Sequence, residues 1–108
     1  MRPEFAFILA AALLEVGGDA LLRAGLHAHS NWARLAFLAS GSLSLIAYGL
    51  AVNTPEWDFG RLLGIYVAAF FLVSQAANAV AFHTPPSPAI LWGGVLILAG
   101  GFIIARWG

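Results

Sequence analysis

The chain of 108 residues contains no cysteine and little charge, with Asp, Glu, Lys and Arg together forming 9% of it. The absence of cysteine excludes a disulfide framework and any metal site with cysteine ligands. Five acidic and five basic residues give a formal net charge of zero. The composition therefore indicates neither a basic surface for nucleic acid nor a strongly charged surface of either sign.

The sequence also lacks the motifs of common catalytic sites. It contains no pattern of a nucleophile triad, no phosphate-binding glycine loop and no dinucleotide-binding fingerprint. His27 and His29 lie two residues apart without a third ligand, and His83 lies in another connection, so histidine does not indicate a metal site. We expect no enzymatic activity, no metal and no cofactor.

Apolar residues are in large excess: they form 61% of the chain, against roughly 45–50% in soluble domains. The mean hydropathy is +0.88. A soluble domain of this size buries only about 60% of the surface of its unfolded chain, so it could not hide this many apolar side chains. The excess predicts a single domain, residues 1–108, embedded in a membrane.

Four apolar segments are separated by polar and proline-rich connections. The segments are predicted at about 5–22, 32–52, 62–82 and 89–105. About 20 helical residues, at 1.5 Å per residue, cover the roughly 30 Å hydrocarbon layer. The first segment exceeds the apolar run of about 7–15 residues in a signal peptide, and three similar segments follow it. The pattern predicts an all-α membrane protein with four transmembrane helices.

Residues near the segment ends fit a membrane–water interface. Tryptophan side chains favour the headgroup level, and arginine side chains can extend outward to it. The expected anchors are Trp32, Trp57, Trp92, Trp107, Arg2, Arg34 and Arg106. Asp58 is predicted to cap the third helix, and Arg61 to be a further interfacial anchor.

The arginines do not select one orientation in the membrane. One side of the predicted bundle has Arg2, Arg61 and Arg106, and the other has Arg23 and Arg34. This small difference is compatible with insertion in both orientations.

The small bundle is expected to associate, because four helices leave little interior to shield a charged site. On the fourth helix, Gly93 and Gly100 share one face and would allow a second copy to approach closely. Their spacing alone fits an ordinary glycine-rich membrane helix equally well.

Glu15 is the strongest functional candidate, because an ionisable residue inside a membrane is costly and usually functional. A lone carboxylate there can hold a proton and release it when a cation takes its place, which is the simplest scheme for proton-coupled cation exchange. A protonated Glu15 could instead only hydrogen-bond a neighbouring helix. Ala11, Ala12 and Gly18, about one helical turn away, would leave space beside the carboxylate.

Asp19 lies one helical turn after Glu15 and one turn before Arg23. A helix places all three on one face. Asp19 is therefore either a second carboxylate of the site or the partner of Arg23 in an ion pair at the membrane edge. The spacing favours neither alternative.

Polar residues of the second and third helices complete the candidate set. Gly41, Ser44 and Tyr48 share a face of the second helix. A single serine in a membrane helix usually bonds its own helix. On the third helix, Tyr66 is the residue that we most expect to meet a substrate.

The sequence resembles the small multidrug resistance superfamily, including its YnfA-like branch, over nearly its whole length. Residues 14–18, LEVGG, resemble the acidic motif of that family's first helix, and residues 59–67, FGRLLGIYV, resemble the Gly-Arg-Val-Tyr run of the YnfA-like branch. Residues 88–90, PAI, followed by Gly93 and Gly100, resemble the start and the dimer contacts of the fourth helix. Asp19 departs from the small or hydroxyl residues of better-known members.

The resemblance implies an antiparallel homodimer, inserted in both orientations, whose shared site holds both copies of Glu15. It also implies that Tyr66 lines this site and that Ser44, or Ser42, corresponds to the serine that bonds the glutamate.

We predict a proton-coupled exporter of a small cationic compound in the bacterial inner membrane, with Glu15 binding proton and substrate in alternation. The expected partners are lipid, protons, the cationic substrate and a second copy of the chain, without nucleic acid. The alternative is a non-exporting membrane subunit, either flippase-type or regulatory, that uses the same fold for helix assembly.

Overall fold

The computed structural model describes residues 3–108, which form four α-helices and no β-strand. The helices are α1 (Pro3–Leu26), α2 (Asn31–Val52), α3 (Phe59–Ala81) and α4 (Pro88–Trp107). All four are long and apolar enough to cross a membrane, which confirms the predicted fold class. Arg2, a predicted anchor, lies outside the described residues.

The helices extend beyond most of the apolar segments from which they were predicted. α1 continues past Arg23 to Leu26, and α4 continues to Trp107. Hydropathy marks only where the apolar residues stop, whereas a helix continues for as long as its backbone hydrogen bonds continue. Arginine is a good helix former, so it need not end a helix. The polar ends therefore belong to the helices.

Side-chain caps set the starts of α2, α3 and α4. The side chains of Ser30, Asp58 and Ser87 each accept a hydrogen bond from a backbone N–H three residues later. In α3 this bond joins the Asp58 carboxylate to Arg61 N at 3.1 Å, so the predicted cap is confirmed. A cap of this kind satisfies backbone donors that the first turn of a helix leaves without partners.

The chain is organised as two helical hairpins, the first ending at Pro55 and the second beginning at Glu56. In the first hairpin, α1 and α2 cross at glycine. A Cβ atom on Gly18 would lie 3.1 Å from the Gly41 carbonyl oxygen, and one on Gly41 would lie 3.0 Å from the Gly18 carbonyl oxygen. The two backbones therefore approach as closely as small residues allow in membrane helices. The single four-helix domain stays a prediction.

The second hairpin pairs α3 with α4 through another set of glycines. A Cβ atom on Gly94 or on Gly101 would lie 2.6 Å from the Phe71 ring or the Ala68 Cβ. At the end of this hairpin away from the α3–α4 connection, the Arg61 guanidinium donates a 2.9 Å hydrogen bond to the Ala105 carbonyl. The predicted anchor Arg61 thus also ties the start of α3 to the end of α4.

Large apolar side chains point outward on every helix. Leu13, Leu50, Val80 and Leu96 are 57%, 71%, 77% and 74% exposed. Exposure on this scale would cause aggregation in water, whereas in a bilayer such side chains contact lipid. Trp32, Trp92 and Trp107 are also exposed and lie near helix ends. The chain is a multi-pass membrane protein.

His83 follows the end of α3 with a positive φ of 54°. A left-handed backbone costs an L-residue about 1–2 kcal/mol, a cost that glycine avoids. His83→Gly is therefore expected to raise the free energy of unfolding by about 1 kcal/mol, measured by denaturant titration in detergent micelles. Phe82→Gly is the control, because Phe82 has an ordinary φ of −108° and glycine should not stabilise it. Equal stability of His83→Gly and the natural protein would contradict the prediction.

Candidate functional site

Glu15 lies near the midpoint of the 24-residue helix α1, at the depth where a charged side chain is most costly. Its side chain is half-buried. The small residues one turn away on the same side are buried, with Ala11 and Ala12 both 0% exposed. Gly18 is buried against α2. The close packing at Gly18 holds α2 against this part of α1.

Ser44 joins α2 to α1 directly beside Glu15. Its hydroxyl donates a 2.7 Å hydrogen bond to the Leu14 carbonyl. A serine hydroxyl has only one proton, and here the bond goes to the backbone that carries Glu15. Ser42 lies on an exposed part of α2 and donates to the Leu38 carbonyl of its own helix at 2.7 Å. Of the two serines suggested by the resemblance, Ser44 is the one that contacts α1.

Tyr48 belongs to the polar face of α2 that the sequence predicted with Gly41 and Ser44. It follows Ser44 by one turn of α2 and is half-buried. The signal in the sequence was the shared face of Gly41, Ser44 and Tyr48. The pattern alone did not show which part of α1 this face contacts. The Gly18–Gly41 crossing shows that it is the part next to Gly18.

Asp19 is exposed and, over residues 3–108, forms no ion pair with Arg23. It follows Gly18, the residue at which α1 crosses α2. The first hairpin thus brings the Ser44 hydroxyl beside the backbone that carries Glu15, with Asp19 one turn further along α1.

Tyr66 belongs to the second hairpin, two turns into α3. It is 5% exposed, and its ring centroid lies 6.1 Å from that of Phe70 in a tilted arrangement. Burial of a tyrosine inside a membrane helix fits a functional or packing role. Its predicted place beside Glu15 stays a prediction.

The two carboxylates define the chemistry available to this site. Ionised carboxylates one helical turn apart repel each other, and a proton or a bound cation relieves that repulsion. No group of three or more His, Asp or Glu residues within 3–108 is placed to hold a metal ion. The arrangement suits the exchange of protons with a cation that binds by charge.

Comparison with known proteins gives relatives along nearly the whole chain. A UPF0060 membrane protein of Streptomyces avermitilis is 34% identical over 100 residues, covering 92% of this chain and 87% of the relative. One of Herpetosiphon aurantiacus is 36% identical over 109 residues, covering 98% and 94%. One of Mycolicibacterium gilvum is 34% identical over 105 residues, covering 96% and 94%.

No family model matches the sequence, and no solved structure is significantly similar to it. The relatives are nevertheless named alike and align from the first helix to the last. Identities of 34–36% over at least 87% of each relative show that this chain belongs to the UPF0060 family of bacterial membrane proteins.

Proposed function

We propose that the protein is a proton-coupled exporter of a small cationic compound. The observation that carries this proposal is Glu15, a half-buried carboxylate at the midpoint of a membrane-spanning helix, with Asp19 one turn away. A carboxylate at this depth is stabilised by a proton or by a cation. Competition between the two for Glu15 would couple proton entry to the exit of the substrate.

The resemblance to the small multidrug resistance superfamily and its YnfA-like branch supports the proposal. Residues 14–18 carry the acidic motif, and Tyr66 follows Gly60 and Arg61 in the run that resembles that branch. In this scheme Ser44 holds the backbone beside Glu15, and Tyr66 lines the cavity that receives the substrate.

The decisive experiment measures proton release when substrate binds. Detergent-solubilised protein, held at fixed pH in weak buffer, is mixed with guanidinium, quaternary ammonium and polyamine compounds in turn. An exporter of this type releases protons as the cation displaces them. Absence of release across the panel would favour the alternative, a non-exporting subunit of flippase or regulatory type.

We further propose that two copies form an antiparallel homodimer through α4. Gly94 and Gly101 face α3, whereas Cβ atoms on Gly93 and Gly100 would meet no other atom of the second hairpin within 4 Å. This open glycine face would allow another helix to approach closely. Both copies of Glu15 would then share one site.

Replacing both Gly93 and Gly100 with leucine is expected to leave the second hairpin folded and to weaken the dimer. Each leucine would hold the two helices apart, and a loss of about 1.4 kcal/mol raises the dissociation constant about tenfold. Light scattering coupled to size exclusion in detergent would detect the monomer. Gly49→Leu is the control, because Gly49 is equally open within the first hairpin but lies on α2. A dimer unchanged in the double variant would refute the contact.

A further inference from the structure

The acidic and basic residues of the second hairpin all lie at one end of it, where α3 begins and α4 finishes. They are Glu56, Asp58, Arg61 and Arg106. Both helices are long and apolar enough to cross a membrane, so this end lies at the level of the lipid headgroups. Two of the four tryptophans, Trp57 and Trp107, lie at the same end, and their rings favour that level.

Contacts within the second hairpin fix the position of the Arg61 guanidinium. Its Nη2 donates the 2.9 Å hydrogen bond to the Ala105 carbonyl, and its central carbon lies 5.0 Å from the centre of the Trp57 ring. Among residues 3–108, Nη1 has no hydrogen-bond acceptor and no carboxylate forms an ion pair with this side chain. The guanidinium is therefore held in place with its charge not neutralised by an acid.

Arg106 places a second guanidinium at this end, because it directly follows Ala105 in the chain. Its side chain is exposed, and its central carbon lies 5.4 Å from the centre of the Trp107 ring. In the part of the chain that the structure describes, it forms no ion pair either. Guanidinium groups bind phosphate oxygens through paired N–H donors, so the two arginines suit a phosphate at the headgroup level.

Asp58 supplies the opposite charge at the same place. Its Oδ2 accepts the 3.1 Å hydrogen bond from Arg61 N, which fixes the carboxylate beside the backbone of Arg61. The side chain is exposed and, within residues 3–108, pairs with neither guanidinium. Glu56 is also exposed, but no hydrogen bond to a described residue fixes its position. This end therefore presents positive and negative groups that are fixed separately and do not neutralise each other.

We infer that this end of the second hairpin binds a phospholipid whose headgroup carries both a phosphate and a primary ammonium, as phosphatidylethanolamine does. The phosphate oxygens accept hydrogen bonds from Arg61 and Arg106, and the ammonium donates to the Asp58 carboxylate. A choline headgroup has the same charges but no N–H to donate. A glycerol headgroup has no cation, and Asp58 repels its negative charge. This binding does not depend on cation exchange at Glu15.

Native mass spectrometry of the full chain in detergent tests the inference by counting lipids that stay bound to the intact protein. The protein is titrated in turn with phosphatidylethanolamine, phosphatidylcholine and phosphatidylglycerol that carry identical acyl chains. Phosphatidylethanolamine is expected to bind about tenfold more tightly than the other two, the ratio that about 1.4 kcal/mol gives. Equal binding of all three lipids would show a general membrane anchor and would overturn the inference.

Asp58→Asn separates the ammonium contact from the stability of the fold. Asparagine caps a helix as well as aspartate does, so α3 should start at the same residue. The variant removes the negative charge, and its affinities for phosphatidylethanolamine and phosphatidylglycerol are expected to become equal. An unchanged preference for phosphatidylethanolamine in this variant would overturn the inference.

Arg106→Gln tests the phosphate contact, since the Arg106 side chain makes no hydrogen bond to the rest of the described chain. The variant should bind all three lipids several-fold more weakly, because each of them carries a phosphate. Arg34→Gln is the matched control: it removes an exposed guanidinium at a helix start in the first hairpin, and it should bind the lipids like the natural protein. Equal losses in both variants would show that arginines at helix ends act only as general anchors, which would overturn the assignment to this end.

Discussion

Proton release on addition of a cationic substrate is expected to fall to background in Glu15→Gln. Glutamine keeps the size and hydrogen-bonding capacity of the side chain but can neither bind a proton in this pH range nor carry a negative charge. A cation about 4 Å from a carboxylate gains about 4 kcal/mol at an effective dielectric constant of about 20. Losing that energy weakens binding about a thousandfold. Titration calorimetry in two buffers of different ionisation enthalpy would measure both affinity and protons released.

Two further variants make the result specific for Glu15. Glu56→Gln makes the same replacement at an exposed acid at the start of the second hairpin, and it should behave like the natural protein. Glu15→Asp keeps the charge but retracts it by one methylene, and it should retain part of the proton release. If Glu15→Gln released protons normally, the exchanging group would be elsewhere, and Asp19 would be the next residue to replace.

Gly18→Val is expected to destabilise the first hairpin by about 1–3 kcal/mol, the usual range for overpacking a tight contact. The first added carbon would lie 2.9 Å from the Leu45 side chain and 3.1 Å from the Gly41 carbonyl oxygen. Leu45 could move, but the Gly41 backbone could do so only if the two helices separated. Separation would also break the Ser44–Leu14 hydrogen bond.

Gly17→Val is the matched control for this prediction, since a Cβ atom on Gly17 would have no neighbour in the described first hairpin within 4 Å. Valine there should change the free energy of unfolding by no more than about 0.5 kcal/mol, the difference in helix propensity. Denaturant titration in micelles, followed by circular dichroism, would compare the two variants. Equal destabilisation by both would show that the close crossing at Gly18 does not limit stability.

The four helices were predictable because membrane spans leave a strong signal in hydropathy. The ends of the helices were less predictable from hydropathy. Arg23 is charged and Trp107 is amphipathic, yet both lie within helices. The cap at Asp58 was foreseen from its residue type and its place before an apolar run. Each of these features is determined by residues that lie close together in the sequence.

The members of the site were only partly predictable, because their positions depend on how two helices meet. Asp19 lies one turn from both Glu15 and Arg23, so periodicity could not choose its partner. Tyr48 shares a face with Ser44, but which residues of α1 that face contacts depends on the register set by the glycine crossing. On α4, the sequence could not show which of the adjacent Gly93 and Gly94 packs against α3.

The division into two hairpins bears on how the protein is made. The glycine crossing, the Ser44 hydrogen bond and the carboxylates of Glu15 and Asp19 all lie before Pro55. Chains are synthesised from the N-terminus at about 5–20 residues per second, and early segments can fold first. The first hairpin can therefore pair its two helices before α3 and α4 leave the ribosome.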